Sequence, residues 1–274
     1  MGKGLKRRNG GPAHRCGERD VARRGLRAWF RTSLGRRVAA ADREQLDEVL
    51  PNLFGFHLLQ VGDVMDAELL ASSRIRHRVV MAEGRGDARS RLGLFAEADA
   101  LPLGSECVDV VLLPHVLEVH DRPHQALREV ERCLIPEGHV VIVGFNPWSL
   151  WGLWRLLAGR RRAPWCGHFY SPTRIRDWLS LLGFDIVRAR SYFFRPPLKG
   201  PALGGRLHFL EGLGRRWWPL LGGCYILVAK KRVVTLTPIR PRWRPRWRRA
   251  GAPVGAPFPG SGRSASRRVR GDDT

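Results

Sequence analysis

The stretch of sequence that decides the fold runs from Asp99 to Pro147 and reads DALPLGSECVDVVLLPHVLEVHDRPHQALREVERCLIPEGHVVIVGFNP. Two apolar runs, 108–113 and 139–145, lie on either side of an amphipathic segment. Short apolar runs bounded by polar residues or glycine predict buried strands. The intervening segment opens with Asp121 as a candidate N-cap and Pro123 in the first turn, which predicts a helix. The stretch therefore predicts a strand, a helix and a second strand.

The same alternation extends in both directions from this stretch. Upstream, apolar residues spaced three and four apart predict a helix over 38–54, followed by strands near 56–61 and 78–81. Downstream, the pattern predicts a helix over 171–183 and strands at 184–189 and 225–229. Strands that alternate with helices predict an α/β fold with a mostly parallel sheet and helices on both of its faces.

The charge of the chain is concentrated at its two ends. The formal net charge is +23, and arginines of residues 1–37 and of residues 232–274 account for most of it. Segments that are basic, rich in glycine or proline and without apolar periodicity are typical of disorder. We therefore expect one domain over 38–231, flanked by disordered basic termini. Such termini could bind nucleic acid through phosphate contacts, or could be solvated tails that reflect a biased composition.

The cysteines and histidines indicate neither a disulfide scaffold nor a metal site. Five widely spaced cysteines without a CxxC pair favour reduced thiols. The histidines and the glutamate between positions 115 and 124 do not place three ligands on one helical face, so we expect no metal. The sequence has no apolar run long enough to cross a membrane and no signal peptide, which favours a cytoplasmic protein.

Candidate ligand-binding residues follow the predicted strands. Ligands of such sheets bind outside the carboxyl ends of the strands. Gly62 follows the first strand, and Glu83 follows the second, at the distance where an acid accepts hydrogen bonds from ribose hydroxyls. His115 follows the third strand, and Asn146 follows the fourth. These positions predict one pocket along one edge of the sheet.

The ordered set of motifs in this region resembles the class I SAM-dependent methyltransferases, most closely the type-11 methyltransferase domain. The resemblance is carried by the segments DALP at 99–102, VDVV at 108–111, HVLE at 115–118, LREVERCL at 127–134 and PEG at 136–138. It implies a Rossmann-like, seven-stranded sheet in a single domain. The chain departs from the family pattern in two places. Glu137 stands where the family usually has glycine, and the loop after the first strand has one glycine, Gly62, instead of Gly-x-Gly-x-Gly.

The resemblance also implies roles for individual residues around S-adenosylmethionine (SAM). Glu83 would hold the ribose, and Asp99, with the backbone of Ala100, would bind the adenine. The remaining implied pocket residues are Gly62 beside the amino-acid end, Leu113, Pro114 and His115 on the floor, and Asn146 and Trp148 on the substrate side. His115 is a candidate general base because its ordinary pKa suits proton removal near neutrality, or else a structural residue of the pocket wall.

Two functions remain open at this point. The first is methyl transfer from SAM to an unidentified acceptor, with a small molecule favoured over a macromolecule. The second is a catalytically inactive binding protein on a methyltransferase fold, which uses its basic tails to hold RNA or a membrane surface.

The segment after the fourth strand has tryptophans at every third position. Trp148, Trp151 and Trp154 are followed by three arginines, residues 160–162. This pattern predicts either a lid helix that packs its aromatic rings over the pocket or an interfacial helix at a membrane surface, and we favour the lid.

Overall fold

The computed structural model describes residues 12–65, 68–83, 94–158, 164–197 and 221–232. The helices are α1 (Pro12–Phe30), α2 (Ser33–Val49), α3 (Pro123–Cys133), α4 (Leu150–Ala158) and α5 (Pro172–Leu181), and a short 3-10 turn covers Leu50–Asn52. The strands are β1 (His57–Val61), β2 (His77–Ala82), β3 (Leu94–Phe95), β4 (Val108–Pro114), β5 (Leu134–Phe145), β6 (Phe184–Tyr192) and β7 (Cys224–Lys231).

The strands form one seven-stranded sheet in the order β3-β2-β1-β4-β5-β7-β6. Strands β1 to β5 are parallel, whereas β7 runs antiparallel to both β5 and β6. The strand order reverses between β1 and β4, and that switch point is where doubly wound sheets bind ligands. The Rossmann-like, mostly parallel seven-stranded sheet predicted from the sequence is confirmed.

Two hydrophobic cores, one on each face of the sheet, explain why the strands are so apolar. Successive residues of a strand point to opposite faces. Val110 and Leu112 therefore belong to the core under α1 and α2, and Val111 and Leu113 to the core under α3 and α5. Helices thus cover both faces, as the alternating pattern of the sequence predicts.

Local sequence signals place the helix ends that border the site. Ser171 caps α5 by accepting a hydrogen bond from the backbone N–H of Arg174, with Pro172 in the first turn. Helix α3 begins at Pro123 as predicted, but its N-cap position is Arg122 and not Asp121. It ends at Cys133, earlier than the Pro-Glu-Gly segment, because Leu134 already pairs with Val108 in the sheet.

The prediction that residues 1–37 are a disordered extension is wrong for the part that the structure describes. Residues Pro12–Phe30 form α1, and α2 begins at Ser33, five residues before the predicted start of the domain. Leu26 and Phe30, one helical turn apart, are buried in the core. Burial of this apolar pair stabilises α1 against the sheet despite its many arginines. Of the predicted tail, residues 232–274, the structure describes Arg232, and the prediction for 233–274 lies outside the described residues.

Candidate active site

The residues expected to bind a cofactor lie along one edge of the sheet. Gly62 directly follows β1 and Glu83 directly follows β2, while Leu113 and Pro114 end β4. The turn that contains Asp99 and Ala100 follows β3 and is tied to the same edge through its neighbour Ala98. The backbone N–H of Ala98 donates a 3.0 Å hydrogen bond to Glu83 Oε1. The parallel register therefore gathers these residues at the carboxyl ends of four strands.

Gly62 is required by the geometry of its turn. Its φ is +85°, a conformation that favours glycine, and an added Cβ would lie 2.7 Å from Val116 Cγ2. The family pattern places its other two glycines at positions 64 and 66, of which the structure describes Val64. This residue has no positive φ and is buried in the core under α1 and α2. The loop therefore allows a close backbone approach at Gly62, while the side chains of Val64 and Met65 pack in the core.

A group that we call the acid cluster surrounds Glu83 and consists of Glu83, Glu97, Arg23 and His120. Arg23, from α1, donates hydrogen bonds of 3.2 and 3.3 Å to the carboxylate oxygens of Glu97 and lies 3.9 Å from Glu83 Oε2. His120 Nε2 lies 3.6 Å from Glu83 Oε1. Burial raises the pKa of Glu83 to about 7, although Arg23 acts in the opposite direction.

The acid cluster also meets a geometric condition for metal binding. Ligand atoms of Glu83, Glu97 and His120 lie within 4.8 Å of one another. However, the guanidinium of Arg23 already contacts both carboxylates. We therefore interpret the group as an ion-pair cluster that compensates buried acids.

A second cation of α1 reaches the loop after β1. Arg27 forms an ion pair with Asp63, the residue next to Gly62. Arg23 and Arg27 are one helical turn apart, so a single face of α1 contacts both ends of the candidate cofactor site. Neither residue was predictable as part of the site, because the basic, glycine-rich sequence of this segment is typical of disorder.

His115 is the centre of a second buried group, which we call the His115 network. Its Nδ1 lies 3.0 Å from Glu118 Oε1, and its Nε2 lies 3.2 Å from Asp42 Oδ2. The hydroxyl of Tyr192 donates a 2.6 Å hydrogen bond to Asp42, and the backbone N–H of Phe145 donates one of 2.9 Å to Glu118. The network therefore joins α2, β5 and β6 to the loop after β4.

The surroundings of His115 fix its charge and its conformation. Burial alone would lower the pKa of His115, but the two carboxylates outweigh it and raise the pKa to about 9. The ring is thus protonated at neutral pH and donates to both acids. Its φ of +52° is rare for a residue with a side chain, and the backbone is held by a 2.9 Å bond from its N–H to the carbonyl of Val143.

The two residues expected on the substrate side occupy different environments. Asn146 is buried, and its amide donates to the carbonyl of Gly222 while its Oδ1 accepts from the backbone N–H of Trp148. Asn146 thus fixes the loop that starts α4. Trp148 has 72% of its side chain exposed, whereas Trp151 packs between Phe145 and the loop before β7.

Asp42 and Tyr192 are the network members that sequence analysis missed. A signal for Asp42 exists in the sequence, because it lies in the apolar stripe of α2 that includes Val38, Leu46 and Val49. A charged residue at such a position indicates a buried partner. Tyr192 has no comparable signal, because its partner lies 150 positions away in the chain.

The strand order, the glycine turn after β1 and the acid after β2 define a Rossmann-like methyltransferase domain. Comparison with known proteins agrees: a family model described as a methyltransferase domain (Methyltransf_11) matches residues 74–142. In this match and in its fold the chain resembles the class I SAM-dependent methyltransferases.

One curated relative covers most of the chain. The uncharacterized protein YafS of Escherichia coli (strain K12) is 33% identical over 216 residues, which are 76% of this chain and 82% of the relative. The chain therefore belongs to the same family as YafS.

Solved structures share the fold at much lower identity. A SAM-dependent methyltransferase of Thermotoga maritima aligns with a TM-score of 0.60 and 17% identity, covering 78% of this chain and 99% of that one. The [4+2]-cyclase SpnF aligns with a TM-score of 0.50 and 19% identity, covering 71% and 82%. Since one of these two proteins is named for a cyclase reaction, the fold alone does not specify the chemistry.

Proposed function

We propose that this protein transfers a methyl group from SAM to a small-molecule acceptor in the cytoplasm. The observation that carries the proposal is the position of Glu83. This acid is buried at the end of β2, is tied to the Asp99 turn through Ala98, and lies on the same sheet edge as the Gly62 turn. An acid after β2, a glycine turn after β1 and a polar turn after β3 are the elements that a nucleoside ligand with an amino-acid end requires.

The chain offers a complementary group for each part of this cofactor. Glu83 would accept hydrogen bonds from the ribose hydroxyls, and Asp99 from the adenine amino group. Arg27 and Asp63 supply one cation and one carboxylate beside the Gly62 turn, which match the zwitterionic amino-acid end of SAM. When bound, SAM supplies an electrophilic methyl group on a sulfonium sulfur.

Positioning and exclusion of water are the main contributions that we assign to the protein. Alignment of two reacting groups can lower a barrier by several kcal/mol without a catalytic base. We assign His115 a positioning role, because both of its ring nitrogens are engaged by carboxylates and its side chain has no exposed surface. The role of general base expected for it would need a free nitrogen lone pair, which a protonated ring does not have.

Calorimetric titration with SAM and with its demethylated product tests the proposal. We expect the wild-type protein to bind both ligands with a dissociation constant below a millimolar. Glu83→Gln should weaken binding at least about tenfold, because it removes the charged acceptor of the ribose hydroxyls. Asp185→Asn is the matched control, since this exposed acid on β6 pairs with Arg232 away from the site and should bind as the wild type does.

Failure of folded wild-type protein to bind either ligand would overturn the proposal. That result would favour the alternative of a binding protein built on a methyltransferase fold.

A further inference from the structure

Helix α4 presents a large apolar face to solvent. Its members are exposed by 40% to 74% and comprise Trp148, Leu150, Leu153, Trp154 and Leu156. Single exposed apolar residues are normal on a protein surface, but five large ones within nine positions form a patch of the kind that marks an interaction site. We call this patch the α4 face.

The opposite side of α4 already supplies the burial that the domain needs. Trp151 packs against Phe145 and Phe193, and its Nε1 donates a 2.8 Å hydrogen bond to the carbonyl of Arg195. Arg155 also points inward, where it donates to the carbonyls of Trp165 and Gly167. Leu150, Leu153 and Trp154 lie at spacings of three and four, which form a separate stripe. The helix is therefore apolar on two sides, and the described part of the chain covers one of them.

The dimensions of α4 suit a helix that lies on a bilayer. Nine residues of helix extend about 13 Å, less than half the thickness of a hydrocarbon core. Among the described residues, no helix is long and apolar enough to cross a membrane. Tryptophan and leucine on one face of such a helix insert at the boundary between lipid headgroups and acyl chains.

The charge of the chain favours an anionic surface as the partner. The net charge is +23, and the sequence continues from α4 with Arg160-Arg161-Arg162. Those three residues lie outside the described part of the chain, but their charge is only two positions from the end of the helix. Arginine side chains near a membrane surface are attracted to anionic lipid headgroups.

We propose that the α4 face docks on an anionic lipid bilayer. Helix α4 starts a few residues after the end of β5, at the sheet edge that carries Gly62 and Glu83, so docking would place the candidate substrate side next to the membrane. Asn146 anchors this loop through the backbone of Gly222 and Trp148. The proposal does not depend on methyl transfer, because it concerns lipid binding alone.

Co-sedimentation with lipid vesicles tests the docking surface. The full-length protein is mixed with vesicles of phosphatidylcholine alone or of phosphatidylcholine with about a third phosphatidylglycerol. We expect wild-type protein to bind the anionic vesicles, and the double variant L153S/L156S to bind them at least about tenfold more weakly. The matched control is L181S/V187S, which replaces two exposed apolar residues on α5 and β6.

The control should bind vesicles as the wild type does, and circular dichroism should show both variants folded. Equal vesicle binding by L153S/L156S and wild type would overturn the proposal, because charge elsewhere in the chain would then account for binding. Absence of wild-type binding would overturn it as well. A dimer in light scattering that L153S/L156S abolishes, without vesicle binding, would assign the α4 face to a second copy of the chain instead.

Discussion

The acid cluster around Glu83 and the His115 network are both buried at the carboxyl edge of the sheet, yet burial acts on them in opposite ways. Around Glu83, burial outweighs the guanidinium of Arg23 and raises the pKa of the acid to about 7. Around His115, two carboxylates outweigh burial and raise the pKa of the ring to about 9. The first group changes charge near neutral pH and suits a ligand site, whereas the second keeps its charge and suits a structural joint.

The strongest way to break this comparison is to remove one carboxylate of the His115 network. Asp42 accepts hydrogen bonds from both the His115 ring and the Tyr192 hydroxyl. Asp42→Ala removes this shared acceptor and leaves both buried donors without it. We expect a loss of about 3–5 kcal/mol in the free energy of unfolding, measured by chemical denaturation. Asp47→Ala on the same helix is the control, because Asp47 is exposed and should cost less than about 1 kcal/mol. Similar losses for both variants would show that the network is not a structural joint.

A smaller effect should appear as a dependence of stability on pH. The folded-state pKa of His115, about 9, lies above its ordinary value of 6.5. The stabilisation is therefore fully present below pH 6.5 and is lost as the pH rises through 9, by on the order of 3 kcal/mol. Tyr192 stays neutral in this window because burial raises its pKa well above the ordinary value.

Denaturation at a series of pH values measures this loss. His115→Gln should be less stable than the wild type below pH 6.5 and should lack the slope between pH 6.5 and 9. An unchanged slope in this variant would contradict the assignment of the charge to His115.

The smallest effect concerns the acid cluster and affinity for SAM. Because ribose hydroxyls donate better to an ionised carboxylate, affinity should rise by up to about tenfold from about pH 6 to about pH 8. Arg23→Gln should shift this rise to higher pH, since Arg23 lowers the pKa of Glu83. The amino group of SAM also titrates and can contribute to the pH dependence of affinity. The Glu83→Gln variant measures that contribution, because it lacks the titrating carboxylate. If the Glu83→Gln profile retains the full rise, Glu83 is not the titrating group.

The central part of the fold was predictable because its signals are local. Strand, helix and strand from Val108 to Phe145 each carry their own period and end signals, and the structure has them near the predicted positions. The structure also explains why the family pattern has glycine at position 137. Glu137 stands where the family has glycine and adopts a φ of +67°, the left-handed region that glycine occupies at no cost.

The N-terminal helix and the network were not predictable in the same way. The many arginines of α1 obscure its short apolar stripe in the sequence pattern. Leu26 and Phe30 stabilise the helix because they pack in a core formed by strands distant in the sequence. The contacts of Asp42 with His115 and Tyr192 join positions 73 and 150 residues apart. Local periodicity carries no information about such pairs. The candidate ligand-binding edge could thus be predicted from the sequence, but the groups that set its charge could not.

The position of β7 has a consequence for how the protein is made. This strand is almost the last part of the domain to be synthesised, yet it lies between β5 and β6 and pairs with both along most of its length. Until residues 224–231 leave the ribosome, β5 has an unpaired edge and both cores lack the side chains of this strand. A nascent chain in that state exposes the kind of surface that chaperones recognise. A nonsense mutation shortly before Cys224 should therefore yield an aggregation-prone fragment, although the five parallel strands and every residue of the candidate cofactor site would be present.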